Sequence, residues 1–155
     1  VFTDTALTVG VGNVSSEDQA LLDKTYESLL VGIRAAELGK SVAHIGKKIE
    51  QYFDKHDYGI VEDLCGHGVG YEVHEEPNVP NYFEPYLQDI KLQNGLVIAI
   101  EPMITRGTHA VKTDADGWTI RTKDGSRAAH FEHTVIITPD GPIVATKRPS
   151  ETFSL

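Results

Sequence analysis

Residues 66–77 read GHGVGYEVHEEP, and the sequence changes its period across them. Upstream, apolar residues recur at helical spacing. Leu22, Tyr26, Leu29, Leu30, Ile33 and Ala36 predict a helix that runs to Leu38 and ends at Gly39. Ser15 or Ser16 can cap it, with Glu17 and Asp18 in the first turn, where acids meet the positive helix end. Ser41 caps a second predicted helix, with Val42, Ile45, Ile49, Tyr52 and Phe53 on its buried side and an end near His56. Downstream the pattern is that of short strands. LVIAIEPMI (96–104) follows a turn at 92–95, and strands are predicted around Val111 and over 118–122, 128–138 and 143–146. A short strand at 58–61 leads into the glycine-dense segment. VFTDTALTV (1–9), alternating and rich in β-branched residues, predicts a first strand. Residues 78–89, broken by Pro80 and Pro85, read as a loop, and the tail beyond Lys147 reads as polar and loose. Two helices followed by hairpin-linked strands imply an α+β fold, with the helices backing one face of an antiparallel sheet. Residues 1–155 form a single domain on this reading.

The composition bounds what such a domain can do. A chain of 155 residues, 40% hydrophobic and 24% charged, has the make-up of an ordinary globular protein. At that length folding buries roughly 70% of the unfolded surface. No apolar run approaches the ~20 residues that a membrane-spanning helix needs, so no membrane partner is expected. One cysteine forbids an internal disulfide and fits a reducing cytoplasm. A formal charge of −9, with no concentration of Lys and Arg, argues against binding a nucleic-acid backbone. The carboxylates are available for cations. The chain begins at Val1, without Met and without a leader pattern, and an upstream continuation is expected.

The chemistry-bearing residues fall in four segments. Three glycines around His67 remove side-chain bulk, so the backbone can turn tightly and a substrate can approach the imidazole. A tight turn carrying a surface histidine would explain GHG alone. His74, seven residues on and beside Glu75 and Glu76, weighs against that. Glu101 ends the apolar run LVIAI just before Pro102, where an ionised carboxylate is costly unless paired, metal-bound or open to water. Glu132 lies in AAHFEHTVIIT. Strand alternation puts it on one face with Thr134 and Ile136, opposite Phe131, His133, Val135 and Ile137. Asp4 in the apolar first strand could equally be an edge or capping residue. Together Asp4, His67, Glu101 and Glu132 offer one imidazole and three carboxylates, a set suited to Mn, Fe, Co or Zn. Zinc-finger cysteine spacing is absent. Cys65 reads as packing, and His44, His56, His109, His130 and His133 as structural.

The segments GHGVG-x₃-HEEP, EPMI and FEHT-x₃-T, in this order, resemble the signature of type I methionine aminopeptidases, which have the pita-bread fold. The resemblance covers residues 2–146. It implies a metalloaminopeptidase that removes the initiator methionine from nascent polypeptides in the cytoplasm near the ribosome, taken as a monomer. It implies two divalent ions in the complete site. Asp4 and Glu132 match bridging ligands, while His67 and Glu101 match ligands of one metal. His74 matches the histidine that contacts the scissile amide or its oxyanion. The implied reaction is attack on the peptide carbonyl by a metal-activated water or hydroxide, with Glu101 accepting the proton. Trp118 matches a wall of the methionine pocket. Val73, often aromatic in the family, and Tyr82 are further expected substrate contacts. Prolidases and proline-specific aminopeptidases share GHG…HExP, but Met103, His133 and Thr134 favour methionine. A catalytically silent binding module of the same fold is the other alternative. The family supplies a further metal aspartate and a histidine upstream of Asp4. The chain by itself is therefore expected to be N-terminally truncated, with weak or no activity.

Overall fold

The computed structural model describes residues 2–155. Helix α1 (Ser16–Ala35) starts where Ser15 Oγ accepts the Asp18 amide at 3.1 Å, with Glu17 and Asp18 in its first turn. It ends three residues before the predicted Leu38. Gly39 N–H donates to the Leu92 carbonyl and the Lys40 carbonyl accepts the Leu92 amide, both at 2.9 Å. These long-range bonds capture the chain before another helical turn can form. Helix α2 (Val42–Phe53) buries Val42, Ile45, Ile49 and Phe53 as predicted, while Tyr52 stays half-buried. Ser41 is its N-cap residue but makes no side-chain capping bond; its segment bridges to Lys91 instead.

The strands are β1 (Gly59–Ile60), β2 (Gly66–Gly68), β3 (Glu75–Val79), β4 (Val97–Ile100), β5 (Met103–Thr105), β6 (Val111–Thr113), β7 (Ile120–Thr122), β8 (Ala128–His130), β9 (His133–Ile136) and β10 (Ile143–Val144). The main sheet has the order β10-β9-β4-β2-β3, a second has β1-β5-β8, and β6 and β7 form a hairpin, with every pairing antiparallel. Leu29, Ile33, Ile45 and Ile49 of the helices and Ile98, Ile100 and Val135 of the sheet are all 0% exposed in one apolar cluster. The α+β architecture expected above, two helices against antiparallel sheets, is the one observed.

Four expectations about the strands and the tail change. Strand β3 occupies part of the predicted loop 78–89; the rest of that loop holds a single 3₁₀ turn, Pro85–Leu87. Pro77 is tolerated because β3 is an edge strand, where a missing N–H costs no ladder bond. The first predicted strand has no ladder over residues 2–9, and Val1 lies outside the described residues. The segment docks largely through threonine hydroxyls instead: Thr5 Oγ1 donates to the Glu132 carbonyl and Thr8 Oγ1 to the His130 carbonyl. Nor is the tail loose. Phe153 joins the core cluster, and Arg148 and Glu151 are hydrogen-bonded in the interior of the segment.

The most consequential change is at 128–138. Instead of one strand there are two, β8 and β9, parted at Phe131 and Glu132. Their partners β4 and β5 are parted at Glu101 and Pro102, and Pro102 has no N–H to continue a ladder. The register runs unbroken across the gap, from Ile100↔His133 to Met103↔His130. Glu101 therefore faces Glu132 at the joint between the two sheets.

Candidate metal centre

Two carboxylates directly opposite each other on antiparallel strands repel, and burial makes the repulsion worse. Glu101 is 9% exposed and Glu132 3% exposed. Burial first, then the Glu101 and Asp4 carboxylates, push the Glu132 carboxyl up to about 8. Its Oε1 is buried with no hydrogen-bond partner among the described residues. The solvated-strand alternative for Glu132 is thus excluded, and such a pair calls for a proton or a cation.

His67 supplies the third group. Its Nδ1 lies 2.9 Å from the Gly68 carbonyl, which can only accept, so Nδ1 carries hydrogen and a neutral ring leaves a lone pair on Nε2. That Nε2 is 3.3 Å from Glu101 Oε1. Two acceptors at this separation, beside an unpartnered Glu132 oxygen, are placed as cation ligands are. The donor atoms of His67, Glu101 and Glu132 all lie within 4.8 Å of one another, and so do those of Asp4, His67 and His74. His67 belongs to both groups. One imidazole with surrounding carboxylates suits Mn, Fe, Co or Zn.

The glycines flanking His67 serve the sheet. A Cβ on Gly66 would stand 2.3 Å from the Ala99 carbonyl oxygen, and one on Gly68 would stand 2.2 Å from that of Glu76. Both oxygens are backbone, so GHG lets β3 and β4 close tightly on either side of β2. Close approach is therefore required, as the sequence suggested, but by neighbouring strands.

His74 lies just before β3, exposed, its ring centroid 4.1 Å from that of His67. Asp4 is half-buried, and its N–H and carbonyl are both hydrogen-bonded to Thr134 Oγ1, at 2.9 and 2.8 Å. Val73 is half-buried in the bend before His74. Tyr82 is half-buried, and burial, then Glu84 and Glu62, raise its hydroxyl above the ordinary range. Trp118 is 87% exposed in the turn of the β6–β7 hairpin. Burial also raises the Cys65 thiol, the opposite of what a nucleophile needs. His133 is bound to Thr146 at 2.9 Å and Glu151 at 3.1 Å, a structural histidine as read.

His130 was missed. Its Nε2 approaches Glu101 Oε2 at 3.1 Å, so the Glu101 carboxylate has an imidazole near each oxygen. Strand alternation could have revealed it, since residues 130 and 132 share a face wherever the strand is regular. An apolar cleft of about 220 Å³ opens beside it, among Leu64, Met103 and Ala129.

The Metallopeptidase family M24 profile matches residues 1–139. The chain is 44% identical over 146 residues to the methionine aminopeptidase of Borreliella burgdorferi, covering 94% of this chain and 58% of that protein. The crystal structure of methionine aminopeptidase from Thermotoga maritima superposes with a TM-score of 0.89 at 38% identity, over 94% of this chain and 58% of that one. The prolidase of Pyrococcus horikoshii gives a TM-score of 0.73 at 25% identity, over 96% of this chain and 37% of the prolidase. The chain thus spans just under three-fifths of the length of the methionine aminopeptidases it matches.

Proposed function

The chain belongs to metallopeptidase family M24, and from that premise we propose that residues 1–155 are a catalytic unit of a methionine aminopeptidase. Asp4, His67, Glu101 and Glu132 would hold divalent ions there, two in the complete site, of Co, Mn, Fe or Zn. The observation that carries the reading is the His67 lone pair 3.3 Å from Glu101 across from an orphaned, buried Glu132 oxygen. A bound ion would supply Lewis-acid polarisation of water and of the scissile carbonyl. The chain's own residues do the rest. The Gly68 carbonyl fixes the His67 tautomer. Glu132, its carboxyl pushed up to about 8 by burial and the neighbouring carboxylates, would hold the ion as the deprotonated carboxylate. Glu101 takes the proton of the attacking water, and exposed His74 meets the scissile amide or its developing oxyanion. Val73, Tyr82 and Trp118 contact the substrate.

The substrate is the methionyl N-terminus of a polypeptide, met in the cytoplasm near the ribosome by a monomeric enzyme. Among the described residues no helix is long and apolar enough to cross a membrane. Incubation of the 155-residue chain with Mn²⁺ or Co²⁺ and Met-Ala-Ser tests the reading. Metal-dependent release of methionine that is weak at most, and absent in Glu132→Gln, is expected. Cleavage of Xaa-Pro peptides alone would make the chain proline-directed. Failure to retain any divalent ion, measured by elemental mass spectrometry after reconstitution, would make it a binding module.

A further inference from the structure

The two residues after Asp4 are where the N-terminal segment crosses Glu132. Thr5 Oγ1 donates to the Glu132 carbonyl at 2.9 Å, and the Ala6 carbonyl accepts the Glu132 amide at 3.0 Å. Arg148 grips both crossing points from the tail. Its Nη2 donates to Thr5 Oγ1 at 2.7 Å and to the Ala6 carbonyl at 3.0 Å. The Ala6 oxygen thus spends both lone pairs, one on Glu132 and one on Arg148.

Arg148 is itself held. Its Nη1 donates to Glu151 Oε1 at 3.0 Å, and its backbone N–H donates to Glu151 Oε2 at 2.6 Å. Glu151 Oε1 reaches the fully buried His133 at 3.1 Å, and His133 Nδ1 lies 2.9 Å from Thr146 Oγ1. Phe153 packs near the rings of Tyr26 and His133, with the Lys147 ammonium 4.4 Å over its face. The tail over residues 146–153 therefore holds Arg148 in place and presents one planar guanidinium fork to Thr5 and Ala6. A guanidinium can hold two acceptors and a carboxylate in one plane, which an ammonium cannot.

We propose that Arg148, braced by Glu151, is a positioning residue that sets the register of Asp4 against Glu132 and so tunes the cation affinity of the Asp4 side of the site. The proposal rests on the reading of Asp4 as a ligand. Partners one step removed from metal ligands change affinity by about 10–100-fold when removed, because they fix where the donor atoms stand. Asp4, on a segment without a ladder, depends on such a partner more than His67 does.

Mn²⁺ binding to the 155-residue chain, followed by isothermal titration calorimetry, tests this with Asp4→Ala, Arg148→Ala and the double variant. Arg148→Ala is expected to weaken binding about tenfold, and to weaken it no further when Asp4 is already alanine. An Asp4→Ala variant with parental affinity sinks the ligand reading, and the proposal with it. Weakened Asp4→Ala beside parental Arg148→Ala sinks the proposal alone. A full tenfold loss from Arg148→Ala in the Asp4→Ala background also overturns it, since Arg148 would then act only on general stability. If circular dichroism shows Arg148→Ala unfolded, Arg148→Lys is read by the same comparison.

Discussion

His67, Glu101 and Glu132 ride on, or directly between, strands of the antiparallel sheets, whereas Asp4 hangs on a segment that has no ladder at all. The strand-borne candidate ligands are at most 9% exposed and their backbones are fixed by register. The Asp4 segment exposes Phe2, Leu7, Val9 and Val11, at 46 to 88%, and is held largely by threonine hydroxyls and one arginine. Half of the site is thus preorganised by backbone hydrogen bonds and half by side chains. Substitutions in the first half should remove the site outright, and those in the second should grade it.

The largest effect belongs to His67, which both ligand groups share. His67→Ala should weaken Mn²⁺ binding at least ~100-fold, since a ligand and its orienting bond go together. Titration calorimetry measures this, and a loss no greater than that of Asp4→Ala would mean the two halves are equivalent. Glu132→Gln probes the strained pair differently. With the Glu132 carboxyl at about 8 instead of its ordinary 4.5, the folded chain keeps a proton that the unfolded chain has released between those values. Folded stability therefore drains away as pH rises through that window. Glutamine removes the penalty, so in a chelator the variant should gain roughly 2–4 kcal/mol over the parent between pH 5 and pH 8.5. Thermal melts at the two pH values read it, and parallel shifts would show that burial of Glu132 carries no electrostatic cost.

How much of this was legible follows from the same division. Helical period and strand alternation gave both helices and most strands, because burial imposes those patterns on the residues themselves. His67, Glu101 and Glu132 stood out because glycines, an apolar run ending in an acid, and a family resemblance marked them. Asp4 was legible only through the resemblance. Its own bond to Thr134 and its neighbour Thr5's bond to Arg148 join positions 130 and 143 residues apart in sequence, and no local signal encodes such pairings. The break at Phe131 and Glu132 was hidden for a related reason. Its cause is Pro102 on the partner strand, which the reading of 128–138 in isolation could not feel.

Thr134 separates the two halves most directly, since it belongs to β9 yet carries Asp4. Thr134→Val keeps its place in the core but leaves the Asp4 N–H and carbonyl without their shared partner. An unsatisfied, partly buried pair costs about 1–2 kcal/mol. A melting temperature lower by several degrees, with Mn²⁺ binding weakened severalfold, is expected. Unchanged binding would mean that Arg148 alone fixes Asp4.

The smallest effect should come from His130, and it sharpens the comparison most. Its backbone is locked in β8 against Met103, and its N–H and carbonyl are both bound to Thr8 Oγ1. Its imidazole nears a Glu101 oxygen that the strand joint already places, at 3.1 Å. If strand geometry sets the preorganised half, removing a neighbour of Glu101 leaves the carboxylate where it was. His130→Ala should then cost only about threefold in Mn²⁺ affinity, below the ~10-fold of partners that orient a ligand alone. The same calorimetric titration decides it. A loss of tenfold or more would show that Glu101, like Asp4, is held by side chains, and the division between the two halves would fall at His67.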